Sequence, residues 1–257
     1  MNVSSSSKRS FFFLVLVVVM FFSLVPVPYL RAKDSPVSSV LETSKALVDI
    51  QSVNATVLSG KPQGFIDKAT GRILITRKVR PVVYTRSGSG VILDPQGIIV
   101  TNAHTIRGAG GLAVTFFNGV RAPIKEVHLV PDTDIAFLLI DPPFALSSVP
   151  LADPEMVAKG TNVYTIGHSQ WLKGTVLGGK VVDIRREKSG GVLQVTALRL
   201  NFDMEKGDSG CPVLNAQGEL LGIVEASTIG PGNVTLAIPS NAIVVAYKDY
   251  LGRLKKG

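Results

Sequence analysis

The apolar positions change rhythm along the chain, and each change predicts a different element. Residues 1–10 are polar and end in Lys8 and Arg9; then Phe11 to Val25 is apolar except for Ser23, and the run extends through Pro26, Val27, Pro28 and Tyr29 to Leu30. Twenty helical residues would rise about 30 Å, the thickness of a bilayer core. The basic leader and terminal position predict a signal anchor or a cleavable signal peptide over residues 1–33, not a core helix. A cut after Ala32 would put bulky Leu30 at the third position back, so an uncleaved anchor is favoured and a cleaved leader stays open. Lys8 and Arg9 favour a cytoplasmic N-terminus, although Arg31 and Lys33 nearly offset them. The large soluble remainder favours export.

Residues 34–47, DSPVSSVLETSKAL, predict a short helix with Ser or Asp available as a cap. Beyond it, short β-branched runs separated by turn residues predict an all-β barrel or sandwich. Val91–Leu93 and Ile98–Thr101 flank Asp94-Pro95-Gln96-Gly97, a tight reversal. Leu112–Phe117 and Val120–Val130 flank Asn118-Gly119, a strong hairpin signal. Ile135–Ile140 is continuously apolar, which predicts a well-buried strand. Pro142, Pro143, Pro150 and Pro154 then mark a linker between two halves. Strands resume at Asn162–Ile166, Lys180–Ile184, Val192–Leu200, Glu219–Glu225 and Val234–Ile238. Ser240 can cap a closing helix whose Ile243, Val244, Tyr247, Tyr250, Leu251 and Leu254 recur at helical spacing. Arg253, Lys255 and Lys256 near its end suit the helix dipole.

Composition narrows the function classes. With 257 residues, 46% hydrophobic and 18% charged, the chain can bury one sizeable core or two small ones. The net charge of +8 is spread along the whole sequence without a dense basic block or interleaved aromatics, so no nucleic-acid partner is expected. Cys211 is the only cysteine, which excludes an internal disulfide. There is no CxxC or HExxH, and the histidines lie far apart, so neither metal nor cofactor is expected.

Chemistry concentrates in a few short segments. Ile98-Ile99-Val100-Thr101-Asn102-Ala103-His104 is a buried strand ending in an imidazole. Asp132-Thr133-Asp134-Ile135-Ala136 puts an acid at the mouth of the apolar strand, and Gly207-Asp208-Ser209-Gly210-Cys211-Pro212 sets a serine between glycines. Acyl transfer by serine needs a base of near-neutral pKa, and a carboxylate to fix that base's tautomer. It also needs a tight turn whose N–H groups converge on the oxyanion, here those of Gly207 and Ser209. Singly, each signal has a bland explanation: a surface histidine, a turn-forming aspartate, a chance GxSG. His104, Asp134 and Ser209 in that order, each in its expected context, are harder to dismiss.

Gly88-Ser89-Gly90-Val91-Ile92-Leu93 through His104 is similar to the catalytic-histidine region of trypsin-like serine proteases of the HtrA (Deg) type. Asp134 within TDIA and the serine turn resemble that family as well, as do separations of 30 residues from His104 to Asp134 and 75 from Asp134 to Ser209. The resemblance covers roughly residues 37–245. It implies an all-β, chymotrypsin-like double β-barrel with its active site in the cleft between barrels. The expected protease domain is 34–257: an N-terminal barrel at about 48–141, a linker at about 142–156, a C-terminal barrel at about 157–239 and a helix at about 240–256. Thr165-Ile166-Gly167-His168 looks like a strand-to-loop element of the second barrel. Cys211 stands where the family commonly has Gly, and Asp208 where it often has Asn. Cys211 is expected to be a small buried hydrophobe that could crowd the turn. No PDZ module of the kind typical of HtrA proteins is expected after the barrels, nor gating by one.

For specificity two residues stay open. Trypsin-like spacing places Asp203 at the substrate pocket, implying a basic P1 residue, whereas alignment to the HtrA branch places Met204 there, implying a small or aliphatic one. The resemblance further implies an endopeptidase acting on exported or misfolded proteins at a bacterial inner membrane, with the protease domain on the periplasmic side, or secreted if the leader is cleaved. Its partners would be protein or peptide substrates and the membrane, with homo-oligomer formation left open. The nearest rival is a catalytically silent, membrane-anchored peptide-binding protein. Phosphate binding through Gly88-Ser89-Gly90 or Gly108-Ala109-Gly110-Gly111 completes no known motif, and His104, His128 and His168 match no helical metal-ligand pair. His128 reads as a strand-face residue and His168 as a loop residue near the cleft. The sequons at Asn54 and Asn233 matter only in a eukaryotic secretory pathway.

Overall fold

The computed structural model describes residues 36–255 except 60–62, 67–69, 71–72, 77–78, 168–173, 190–191, 202–203, 205–206 and 228–233. The leader at 1–33, His168, Asp203 and Asn233 therefore lie outside the described residues. Among those described, no helix is long and apolar enough to cross a membrane.

The first half begins with a helix α1, Pro36–Glu42, which runs into a 3-10 turn at Thr43–Ala46. Strands follow as β1 Leu47–Ser59, β2 Gln63–Ile66, β3 Ile73–Thr76, β4 Val79–Asp94 and β5 Ile98–Asn102. After a one-turn helix α2, Ala103–Ile106, come β6 Gly111–Phe116, β7 Arg121–Pro123, β8 Glu126–Leu129 and β9 Ile135–Leu139. Seven of these form one antiparallel sheet in the order β7-β6-β1-β4-β5-β9-β8, with β2 and β3 a separate hairpin.

The long strand expected at Val120–Val130 is instead two. The part up to Pro123 pairs with β6, and the part from Glu126 pairs with β9 at the opposite edge of the sheet. So short a connection brings both edges within about 10 Å, and the sheet must curl like a barrel. Strand β1 was not foreseen, because its inward positions Val48, Ile50, Ser52 and Asn54 change from apolar to polar halfway along. Ser52 is satisfied by donating its hydroxyl to the Thr105 carbonyl at 3.1 Å, and the Asn54 amide donates to Ser52 Oγ at 3.1 Å. Asn54, the acceptor residue of its sequon, is thus buried, at 4% exposure.

The second half is a closed barrel. Its strands are β10 Asn162–Ile166, β11 Val176–Ser189, β12 Val192–Leu200, β13 Pro212–Leu214, β14 Leu220–Ser227 and β15 Thr235–Pro239, ordered β10-β11-β12-β15-β14-β13. The stretch expected as a strand at Lys180–Ile184 is the middle of the longer β11, and β13 was too short to be seen in the pattern. Val163, Val181, Leu198, Cys211, Val213 and Ala237 fill its interior. Its outer face, through Ile166, Leu214, Leu220 and Ile223, joins the core of the first sheet.

Helix α3, Ser240–Leu254, closes the chain. Ser240 is not its cap: Pro239 occupies that position, and the Ser240 hydroxyl donates to the Ala152 carbonyl. Ile243 and Tyr250 face inward as the periodicity predicted, Tyr247, Leu251 and Leu254 are partly buried beside them, and Ala246, not foreseen, is buried too. Tyr250 stacks on Phe137 of β9 at 5.3 Å and on His128 of β8 at 4.9 Å, so the last helix packs back on the first sheet. His128 is thereby a strand-face residue supporting the core.

Candidate active site

Strand β5 is buried at every position, which leaves α2 to carry His104 out of the sheet into solvent. The carboxylate of Asp134 receives it at two points. Oδ1 accepts the His104 backbone N–H at 2.8 Å, and Oδ2 lies 2.6 Å from Nδ1 of the ring. The Asp134 carbonyl also accepts the Ala103 N–H at 3.0 Å. Asp134 is itself set by a turn in which Asp132 takes φ 58° and the Thr133 hydroxyl accepts the Ile135 N–H at 3.2 Å. An Nδ1 proton held this way leaves Nε2 as the basic nitrogen.

The charges around the pair have opposing effects. The hydrogen bond to Asp134 raises the His104 pKa above its ordinary value; partial burial opposes it, the charges of Asp134 and Glu225 add to it, and Arg86 counteracts it. Burial would raise the pKa of Asp134, but its bonds to the His104 ring and backbone, with Arg107 nearby, hold the carboxyl low. Burial, then repulsion from Asp134, pushes Glu225 up, offset in part by His104.

Ser209 enters from the other half, on the turn before β13. Gly207 has φ 106° and Gly210 φ 89°, left-handed values suited to glycine. A Cβ at Gly210 would lie 1.9 Å from the Ser89 carbonyl oxygen, so only glycine lets the turn press against β4. Ser89 braces the turn in return: its N–H donates to the Ser209 carbonyl at 2.8 Å and its hydroxyl to the Gly207 carbonyl at 3.2 Å. Thr101 of β5 fixes the Ser89 carbonyl at 2.7 Å. Cys211 does not crowd the turn. It lies fully buried in the second barrel, with Sγ 3.4 Å from Ser89 Oγ.

His104 and Ser209 line one cavity of about 430 Å³ together with Gly207 and the strand Thr85-Arg86-Ser87. Ser209 and His104 make no hydrogen bond to each other among the described residues. Met204 packs partly buried against the second barrel's core and is absent from this cavity's lining. No cluster of metal-binding side chains occurs among the described residues. Ser89, Arg86 and Glu225 were not foreseen as part of the site. Their only sequence signals are the GSG start of the histidine region and an acid ending the apolar run Leu220–Val224.

Comparison with known proteins bears on these positions. A family model described as a trypsin-like peptidase domain matches residues 88–223. The chain is 37% identical over 142 residues to Protease Do-like 1, chloroplastic, of Arabidopsis thaliana, covering 53% of this chain and 32% of that protein. It is 31% identical over 177 residues to the periplasmic serine endoprotease DegP of Salmonella typhimurium, covering 66% and 37%. With the serine protease Do-like HtrB of Bacillus subtilis it is 31% identical over 166 residues, covering 60% and 36%. The chain thus spans about a third of the length of these relatives. Its fold matches a solved HtrA-type protease, AlgW with a decapeptide, at TM-score 0.61 and 24% identity, covering 83% of this chain and 66% of that one. Histidine, aspartate and serine segments all fall inside the matched region, on the two halves of a chymotrypsin-like fold, and the chain belongs to the trypsin-like peptidase family, with HtrA/DegP proteases among its relatives.

Proposed function

We propose that the protein is a serine endopeptidase in which Ser209 is the nucleophile, His104 the general base and acid, and Asp134 the residue that holds the histidine. The observation that carries this reading is the Asp134–His104 pair at 2.6 Å beside a cavity that Ser209 also lines. Ser209 Oγ attacks the peptide carbonyl carbon while Nε2 of His104 takes its proton. The Gly207 and Ser209 N–H groups receive the developing oxyanion. The tetrahedral intermediate collapses as His104 returns the proton to the departing amine, and water, activated by the same ring, releases the acyl group. Closing the gap between Ser209 and His104 is the task of bound substrate, because catalytic hydrogen bonds often tighten only in the complex.

The substrates in this reading are unfolded or misfolded polypeptides outside the cytoplasm, supported by the similarity to the periplasmic serine endoprotease DegP. Asp203 and Met204 remain the candidates for the P1 pocket. The test is labelling by a serine-directed phosphonate together with casein cleavage. The wild type should label and cut, and Ser209→Ala should do neither. A wild type that neither labels nor cuts would leave a silent peptide-binding protein.

A further inference from the structure

Arg86 is an exposed residue of β4, and its place in the cavity shared by His104 and Ser209 has no role in the chemistry above. Its guanidinium is held rather than free. Nη1 donates to the His104 carbonyl at 3.4 Å, Nη2 donates to the Tyr84 hydroxyl at 3.2 Å, and the group lies 5.4 Å from the centre of the Tyr84 ring. All these partners are neutral, and Arg86 forms no ion pair among the described residues. A guanidinium has five N–H donors in a planar fork suited to a carboxylate, so most of its donors remain for a ligand. The charges that act on the imidazole are Asp134, Glu225 and Arg86 itself, and Arg107 acts on Asp134.

We propose that Arg86 forms a subsite for a carboxylate on the leaving-group side of the cleaved bond, a specificity that rests on the endopeptidase reading. The side follows from the chemistry. His104 must hand its proton to the departing amine, and Arg86 is bonded to the backbone of that same residue. A glutamate or aspartate one or two residues after the scissile bond, or the free C-terminus of a short leaving peptide, supplies the group that completes the fork.

The experiment uses the full chain and internally quenched peptides of one sequence. One arm places Glu or Gln at the first and second positions after the cleaved bond, with the C-terminus amidated. The other compares acid and amide ends on a two-residue leaving group. The wild type should prefer the carboxylate in at least one arm by roughly fivefold in kcat/KM, a preference that shrinks as salt rises. Whichever arm responds identifies the source of the carboxylate. In Arg86→Gln the ratio should fall to about one, and Arg86→Glu should favour Lys at the responding position. Because each ratio compares two peptides on one enzyme, partial misfolding of a variant lowers both rates alike and leaves the ratio readable. Cleavage by the wild type without any preference, or a preference confined to the acyl side, overturns the subsite alone. A wild type that cuts no peptide and takes no phosphonate overturns the endopeptidase reading and the subsite together.

Discussion

As the proposed base, His104 can act only while its ring is neutral, and its neighbours decide the pH at which that holds. Asp134 and Glu225 favour the charged ring and Arg86 opposes it. In the proposed mechanism, activity therefore falls as the pH drops through the raised pKa of His104. Glu225→Gln removes one stabiliser of the charged ring, so the acid limb of the kcat/KM profile should move to lower pH. Arg86→Gln should move it the opposite way. A limb that ignores both substitutions would show that neither charge reaches the ring. Asp134→Asn keeps the shape but offers the wrong hydrogen-bonding partner to Nδ1, and kcat should drop by about 10⁴-fold. The position of the imidazole after β5 could be read along the chain. Glu225 could not, because its relation to His104 exists only where β14 passes the other half of the molecule.

Between elements, the contact that matters most is β4 against the serine turn. Ser89 holds two carbonyls of that turn, directly or through its N–H, and Gly210 has no Cβ to keep them apart. Gly210→Ala would combine a left-handed φ with a direct clash on backbone. It should cost about 3 kcal/mol or more in denaturant unfolding, and phosphonate labelling of Ser209 should be lost. Ser89→Ala removes a hydroxyl that bonds the Gly207 carbonyl and receives the Cys211 thiol. Its expected cost is about 1–3 kcal/mol, with labelling slowed. The GSG segment was legible as part of the histidine region. Its role as a brace was not, since Ser89 and Gly207 are 118 residues apart.

At the scale of the whole molecule, the two halves are locked by elements that cross between them. Helix α1 lies beside the second half, where a Cβ on Gly218 would lie 2.9 Å from the Ser39 carbonyl oxygen. Helix α3 returns from the second half to stack Tyr250 on Phe137 and His128 of the first. Calorimetry should therefore show one unfolding transition for both halves. Tyr250→Ala, which empties a site only 1% exposed, should lower that single transition by about 3–5 kcal/mol of stability without splitting it. The amino-acid order by itself determined most of the strands, the closing helix and the three segments that bear the proposed catalytic side chains, because alternation, turn chemistry and short motifs are local. It missed β1, whose buried Ser52 and Asn54 make sense only once Thr105 lies against them, and it joined β7 to β8, which pair with different neighbours. The shared cavity, the brace at Ser89 and the charges of Arg86 and Glu225 around the imidazole were decided by tertiary structure alone. Each depends on distances between residues far apart along the chain, and those distances are set only when the halves pack.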